Sequence, residues 1–151
     1  MKTTLKLFAF FFGVAVLVAC AGAESEQLKQ ARTIQETIMK SKSNLDSLID
    51  LKLGELGEKI TVLSNDSTMA TDSLKMADYS MIKSSYSEIE MLKSKLADWV
   101  SNMKMLPSPE DISKGENPFG EGATDADILK TIQSSQTEFE EMKSEIETAI
   151  Q

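Results

Sequence analysis

From Leu28 onward, apolar residues recur every three or four positions and polar residues fill the gaps. Leu28, Ala31, Ile34, Ile38, Leu45, Ile49, Leu53, Leu56, Ile60 and Leu63 step mostly by three, four or seven. That spacing lays a stripe along one face of an α-helix and predicts a first helix over about 28–63. Ser41 fills the gap between Ile38 and Leu45. Glu36–Lys40 and Glu55–Lys59 stand as i,i+4 pairs in the favourable order. Gly54 and Gly57 each cost about 1 kcal/mol relative to alanine inside a helix, so they mark either a bend or the close approach of another helix.

Asn65-Asp66-Ser67-Thr68 consists entirely of turn and cap residues. A second helix is predicted after it, over about 68–106, starting at Thr68 or Asp72. Its stripe is the clearest in the chain: Ile82, Tyr86, Ile89, Leu92, Leu96, Trp99, Met103 and Leu106. The steps alternate between three and four almost throughout, close to a heptad seam. Trp99, the single tryptophan, falls on that seam and is expected to anchor the core, the other reading being a partly exposed binding hot spot. Leu106-Pro107-Ser108-Pro109 should end the helix, because proline restricts the residue before it and lacks an N–H to donate. The segment 107–123 is expected to be a loop with Phe119 tucked against the helices. It holds all three prolines and three of the seven glycines.

Thr124 opens a third predicted helix, over about 124–150, with Asp125 and Asp127 in a first turn where negative charge suits the helix dipole. Ile128, Ile132, Phe139, Met142, Ile146 and Ile150 form its stripe, with Ser135 in the gap. No alternating pattern of strand type competes after residue 20. The expected fold is therefore all-α: an elongated, antiparallel, coiled-coil-like three-helix bundle over 28–151. Its first two helices should be about 50 Å long. Burial of the stripes against one another supplies most of the stability, because isolated helices of mixed propensity are marginal in water.

The first twenty residues follow a different pattern. Lys2 and Lys6 precede an unbroken apolar run, Leu7–Ala19, which is too short for the about 20 residues that span a bilayer. A basic start, a short apolar run and a small residue before a cut describe a secretory signal. Leu17-Val18-Ala19-Cys20 resembles the bacterial lipobox. That resemblance implies a lipoprotein signal peptide, Met1–Ala19, cleaved before Cys20, with acyl chains such as palmitate carried on the cysteine. Two acyl chains anchor stably where one does not. Residues 20–27 then form the lipidated N-terminus and a tether. The expected location is a bacterial cell envelope, lipid-anchored in the outer membrane and facing the periplasm or the surface.

Composition narrows the chemistry. The chain has 151 residues, one cysteine and no histidine. The commonest general base and metal ligand is absent, and neither an internal disulfide nor a Cys/His zinc cluster can form. After removal of Met1–Ala19, 14 Lys+Arg face 24 Asp+Glu, a net charge of −10. Such a surface repels phosphate backbones, so nucleic acid is not an expected partner.

Three groups of side chains are candidates for chemistry. Met103-Lys104-Met105 has the M-x-M form of some copper carriers, and thioethers favour Cu(I). In a helix, however, residues i and i+2 face different ways, and methionine is also an adaptable core filler. Glu138, Glu140, Glu141, Glu145 and Glu147 crowd the third helix as a solvated face, without the spacing of a calcium loop. No paired acids or serine nucleophile stand with an orienting partner, so no catalytic residue, metal site or cofactor is expected. Asp46-Ser47-Leu48, Asp66-Ser67-Thr68 and Asp72-Ser73-Leu74 resemble the D-[S/T]-apolar acceptor of an O-glycosylation system in some Gram-negative bacteria. That resemblance makes Ser67, Ser73 and Ser47 candidate glycan sites, with Ser67 first.

Taken together, the lipobox, Met39-Lys40 in the first helix, the acidic turn, Asp98-Trp99-Val100-Ser101-Asn102-Met103-Lys104, the Pro-rich break and the closing amphipathic helix resemble a known family. It comprises small bacterial lipoproteins often labelled "viral A-type inclusion protein", a label that reflects coiled-coil similarity. Val100 and Met103 stand where methionine and phenylalanine are common in that family. The resemblance implies an acylated, helical, extracytoplasmic protein and supplies no catalytic residues. The expected function is that of a non-enzymatic envelope lipoprotein, a helical module that binds another envelope protein or a second copy of itself, through the 107–123 loop or through any apolar seam the bundle leaves uncovered. The alternative is a carrier of a small ligand or metal ion through methionines or carboxylates.

Overall fold

The computed structural model of the chain describes residues 24–108 and 118–151. The expected signal peptide, the lipid site at Cys20 and the first part of the tether lie outside the described residues. Within them the protein is an all-α three-helix bundle: α1 (Glu26–Ser64), α2 (Ser73–Asn102) and α3 (Asp125–Ala149). At 1.5 Å per residue the 39-residue α1 is about 58 Å long.

Each helix starts on a side-chain cap. Ser25 accepts the Leu28 N–H at 3.1 Å, so α1 takes up Glu26 and Gln27, which the hydrophobic pattern had assigned to the tether. Arg32 holds Glu24 at 2.6 Å just before it. Asp72 caps α2 by accepting from Leu74 N–H at 3.0 Å and Lys75 N–H at 3.3 Å. Thr124 and Asp127 form a reciprocal capping box on α3. The Asp127 carboxylate accepts the side-chain hydroxyl and the backbone N–H of Thr124, which holds its pKa below the usual carboxylate value. Gly120 and Gly122 take φ of +98° and +82° in the turns that lead to Thr124, a conformation glycine adopts without strain.

The second helix is shorter than the 68–106 expected from its stripe. Residues before Asp72 form a single 3-10 turn, Met69–Thr71, and α2 ends at Asn102, well ahead of Pro107. Met103 leaves the helix in an extended conformation, with φ −64° and ψ 128°. Its N–H still reaches the Trp99 carbonyl at 2.9 Å. Met103 and Leu106 remain buried even so, because the extended chain folds them over the base of the bundle. Gln35 of α1 accepts the Leu106 N–H at 2.7 Å, a tertiary partner that replaces the helical one.

Cross-helix contacts set the register. Lys93 of α2 meets Asp50 of α1 at 2.6 Å. Seven residues further along each helix, in opposite directions, Tyr86 lies against Gly57. Between α2 and α3, Lys95 meets Glu145 at 2.6 Å and the Trp99 indole N–H donates to Glu138 at 3.0 Å. The last turn of α3 therefore lies near Met91 of α2 and Leu53 of α1. Beyond that level α1 and α2 continue as a two-helix hairpin.

This ending divides the molecule. In the three-helix body, Ile38, Leu45, Ile49, Ile89, Leu96, Ile132, Phe139 and Ile146 are almost completely buried. Each such side chain contributes about 1.5–3 kcal/mol through burial. In the tip no residue between 57 and 88 is buried. Ile60, Leu63, Ile82 and Tyr86 follow the stripe but are only half-covered, since each has one neighbouring helix instead of two. α1 runs uninterrupted through Gly54 and Gly57. Gly54 faces open space, and a Cβ on Gly57 would sit 3.8 Å from the Tyr86 ring, an ordinary contact.

Candidate functional site

The tip turn carries a connected network of polar side chains. Asp66 accepts the backbone N–H of Thr68 at 2.8 Å and its hydroxyl at 2.7 Å, closing an Asx turn. Its other oxygen meets Lys75 Nζ at 2.6 Å, and Lys75 also reaches Thr68 Oγ1 at 2.7 Å. Lys75 first, then the two Thr68 donors, hold the Asp66 carboxyl well below the usual carboxylate range. The same contact raises the Lys75 pKa. The network reverses the chain between α1 and α2.

The three candidate glycan acceptors are all exposed but sit in different settings. Ser67 lies inside the tip turn, between Asp66 and Thr68. Ser73 is the first residue of α2, beside its Asp72 cap. Ser47 is in the middle of α1, and its hydroxyl donates to the Ser43 carbonyl at 3.1 Å. Only Ser67 combines exposure with a non-helical backbone.

Trp99 sits at the edge of the core. Its ring is half-buried, 5.7 Å from the Phe139 ring and tilted by 35°. The Glu138 carboxylate takes its N–H. Its apolar body thus packs on the core while its polar atom points outward, an arrangement that suits tryptophan. The sequence-level expectation of a core anchor holds for the ring face alone.

The remaining candidates are dispersed. Met103 is buried and Met105 is 37% exposed, so the pair does not face one space. The reason differs from the one expected, since both lie outside α2. Glu140 and Glu141 line a shallow, open depression on α3 with Gln136, Thr137 and Ser144. Among the described residues, no group of three or more His, Cys, Asp or Glu could hold a metal ion. Nor is any described helix long and apolar enough to cross a membrane. The expected pairs Glu36–Lys40 and Glu55–Lys59 are not among the ion pairs of the described residues. Lys42–Asp46 at 2.6 Å and Lys93–Asp50 form instead.

A second surface is an apolar seam that the bundle leaves uncovered, whose place the sequence does not give. Past the end of α3, a shallow groove runs between α1 and α2 along the tip, lined by Glu55, Glu58, Lys59, Val62, Leu63 and Ile82. Val62 and Leu74 are among the most exposed apolar residues of the protein, at 71% and 77%. The stripe positions Leu63 and Ile82 carried the signal, but which part of a stripe goes uncovered depends on where the third helix stops. No family model, curated protein or solved structure matches this chain.

Proposed function

We propose that the protein is a non-enzymatic lipoprotein of a bacterial envelope, in which Cys20 carries the lipid and the helical bundle serves as an interaction module. The observation that carries this reading is Leu17-Val18-Ala19-Cys20 at the end of a 13-residue apolar run, Leu7–Ala19. The bundle fits it. Glu24 stands at the base of α1, four residues after Cys20, so an anchor there leaves almost no slack. The tip is then the far end of a rod about 58 Å long, held away from the membrane. The family of small lipoproteins that the Asp98–Lys104 segment resembles belongs to the same reading. Ser67 at the tip is the one of the three proposed glycan sites that lies outside a helix.

Intact-mass measurement of the protein from its native membrane tests the anchor. The expected mass is that of residues 20–151 plus acyl chains on Cys20, with any glycan mass mapping to Ser67. The Cys20→Ser variant should be unlipidated and lost from membranes. A Cys20→Ser protein that is still cleaved and still partitions with membranes would overturn the assignment.

A further inference from the structure

We propose that the tip groove docks a short amphipathic helix of another protein, apolar on one face and flanked by lysine or arginine, laid end to end with α3. This rests on the reading of the bundle as an interaction module and names the surface and the chemistry of its partner.

The shape comes from the bundle itself. In the body, α3 lies in the furrow between α1 and α2 and covers it. The furrow does not stop where α3 stops. α1 continues from Gly54 to Ser64, about 16 Å or three helical turns. Over that length it is lined by the apolar Val62, Leu63 and Ile82 together with Glu55, Glu58 and Lys59. An occupant that repeats the α3 pattern, with apolar residues at i, i+3 or i+4 and i+7, meets this apolar lining as α3 meets the core below.

Charge selects the occupant. Between residues 55 and 88 there are six acids and three lysines, a net charge of −3. Asp66 and Lys75 are already paired with each other, and Lys83 sits 6.0 Å over the Tyr79 ring. Glu55 and Glu58 make no ion pair among the described residues, and they outnumber Lys59 at the groove. A basic flank complements this rim. A second copy of the chain brings the same negative tip and is repelled. Area argues the same way: a slot about 16 Å by one helix diameter buries a few hundred Å² at most. That is well below the roughly 800 Å² per partner of a stable dimer, but it suits a short helix bound weakly.

The test uses the full-length protein as purified from membranes, reconstituted in phosphatidylcholine nanodiscs. The probe is a fluorescent 14-residue helical peptide with leucines at i, i+3, i+4 and i+7 and lysine flanks, read by anisotropy after subtraction of empty discs. If Cys20 carries no lipid, the protein stays out of the discs and is titrated free in solution, so failure of the anchor reading leaves this readout intact. Val62→Asp should weaken binding about tenfold, and Glu55→Lys with Glu58→Lys by a similar factor. Leu51→Asp, at an apolar position 63% exposed in the body, should leave binding unchanged. A glutamate-flanked peptide should bind at least tenfold more weakly than the lysine-flanked one. Equal effects of Val62→Asp and Leu51→Asp, or binding indifferent to peptide charge, would overturn the proposal. So would a dimer by sedimentation that Val62→Asp dissolves, since that would make a second copy the occupant.

Discussion

α1 and α2 pass through two environments along their length. In the body they pack against α3 as well as each other, and their stripe positions Ile38, Leu45, Ile49, Ile89 and Leu96 are sealed from water. In the tip the same helices carry the same kind of residue at the same spacing, yet Ile60, Leu63 and Ile82 stay half-open. A two-helix pair can bury only the seam between its members, whereas a third helix closes a core. The periodic pattern therefore states which face of a helix is apolar, and the number of neighbours decides how much that face is worth. Polar contacts follow the same division. The tip is closed by a surface network around Asp66, while cross-helix ties such as Lys95–Glu145 and Trp99–Glu138 bind the body.

The largest test of this contrast is Phe139→Ala. Phe139 is fully buried where all three helices meet and stacks near Trp99. Its truncation should cost about 3–5 kcal/mol, read by chemical denaturation with Trp99 fluorescence as the probe. Loss of under about 1 kcal/mol would mean that the body is no better packed than the tip. Gly54→Ala has the opposite sign. The position is mid-helix and open to solvent, so alanine should stabilise the upper part of α1 by up to about 1 kcal/mol. Slower amide exchange confined to residues near the tip would confirm it, whereas destabilisation would reveal a contact at Gly54 that the fold does not predict.

The smallest expected effect is an acid one. The Asp66 carboxyl is lowered in the folded protein, so its contribution is present above the ordinary value of about 3.9. It is lost as pH falls from there toward the folded value. Amide exchange around 66–75, corrected for the intrinsic pH dependence of exchange, should accelerate below about pH 4 while amides around Phe139 stay protected. Asp127 is lowered too, and its capping box weakens over the same range. The α3 core beneath it limits the consequence to the first turn. Uniform acceleration across body and tip would erase the distinction.

Much of this fold could be read before any coordinates. The bounds of α1 and α3 lie within a residue or two of those expected, because Thr124 with its acids and the long three-four spacing are strong local signals. α2 ends earlier than its stripe suggests, and of the two starts open to it, Thr68 and Asp72, the helix takes Asp72 as its cap. Its stripe continues through Met103 and Leu106, and periodicity alone cannot tell a buried helical residue from one folded back in an extended segment. The Leu106 N–H finds its acceptor on Gln35, 71 positions away in sequence, which no local rule could foresee. The Asp66–Lys75 tie was also invisible, since it spans a turn whose geometry had first to exist. The place of the tip groove was not legible for a related reason: Leu63 and Ile82 read as ordinary core positions.

Sequence alone determined the fold class and carries the proposed address. A chain with two long apolar stripes, a proline break and a third stripe has few ways to hide them besides a three-helix bundle. The Leu7–Cys20 segment is the whole basis of the proposed anchor, because signal and lipid-site recognition act on extended local sequence. Tertiary structure decided how far along α1 and α2 the α3 stripe reaches, and hence where the core gives way to an open apolar furrow. That boundary follows from the register of helix against helix, which packing of the core fixes between residues far apart in the chain and which contacts such as Lys93–Asp50 and Trp99–Glu138 mark at the surface.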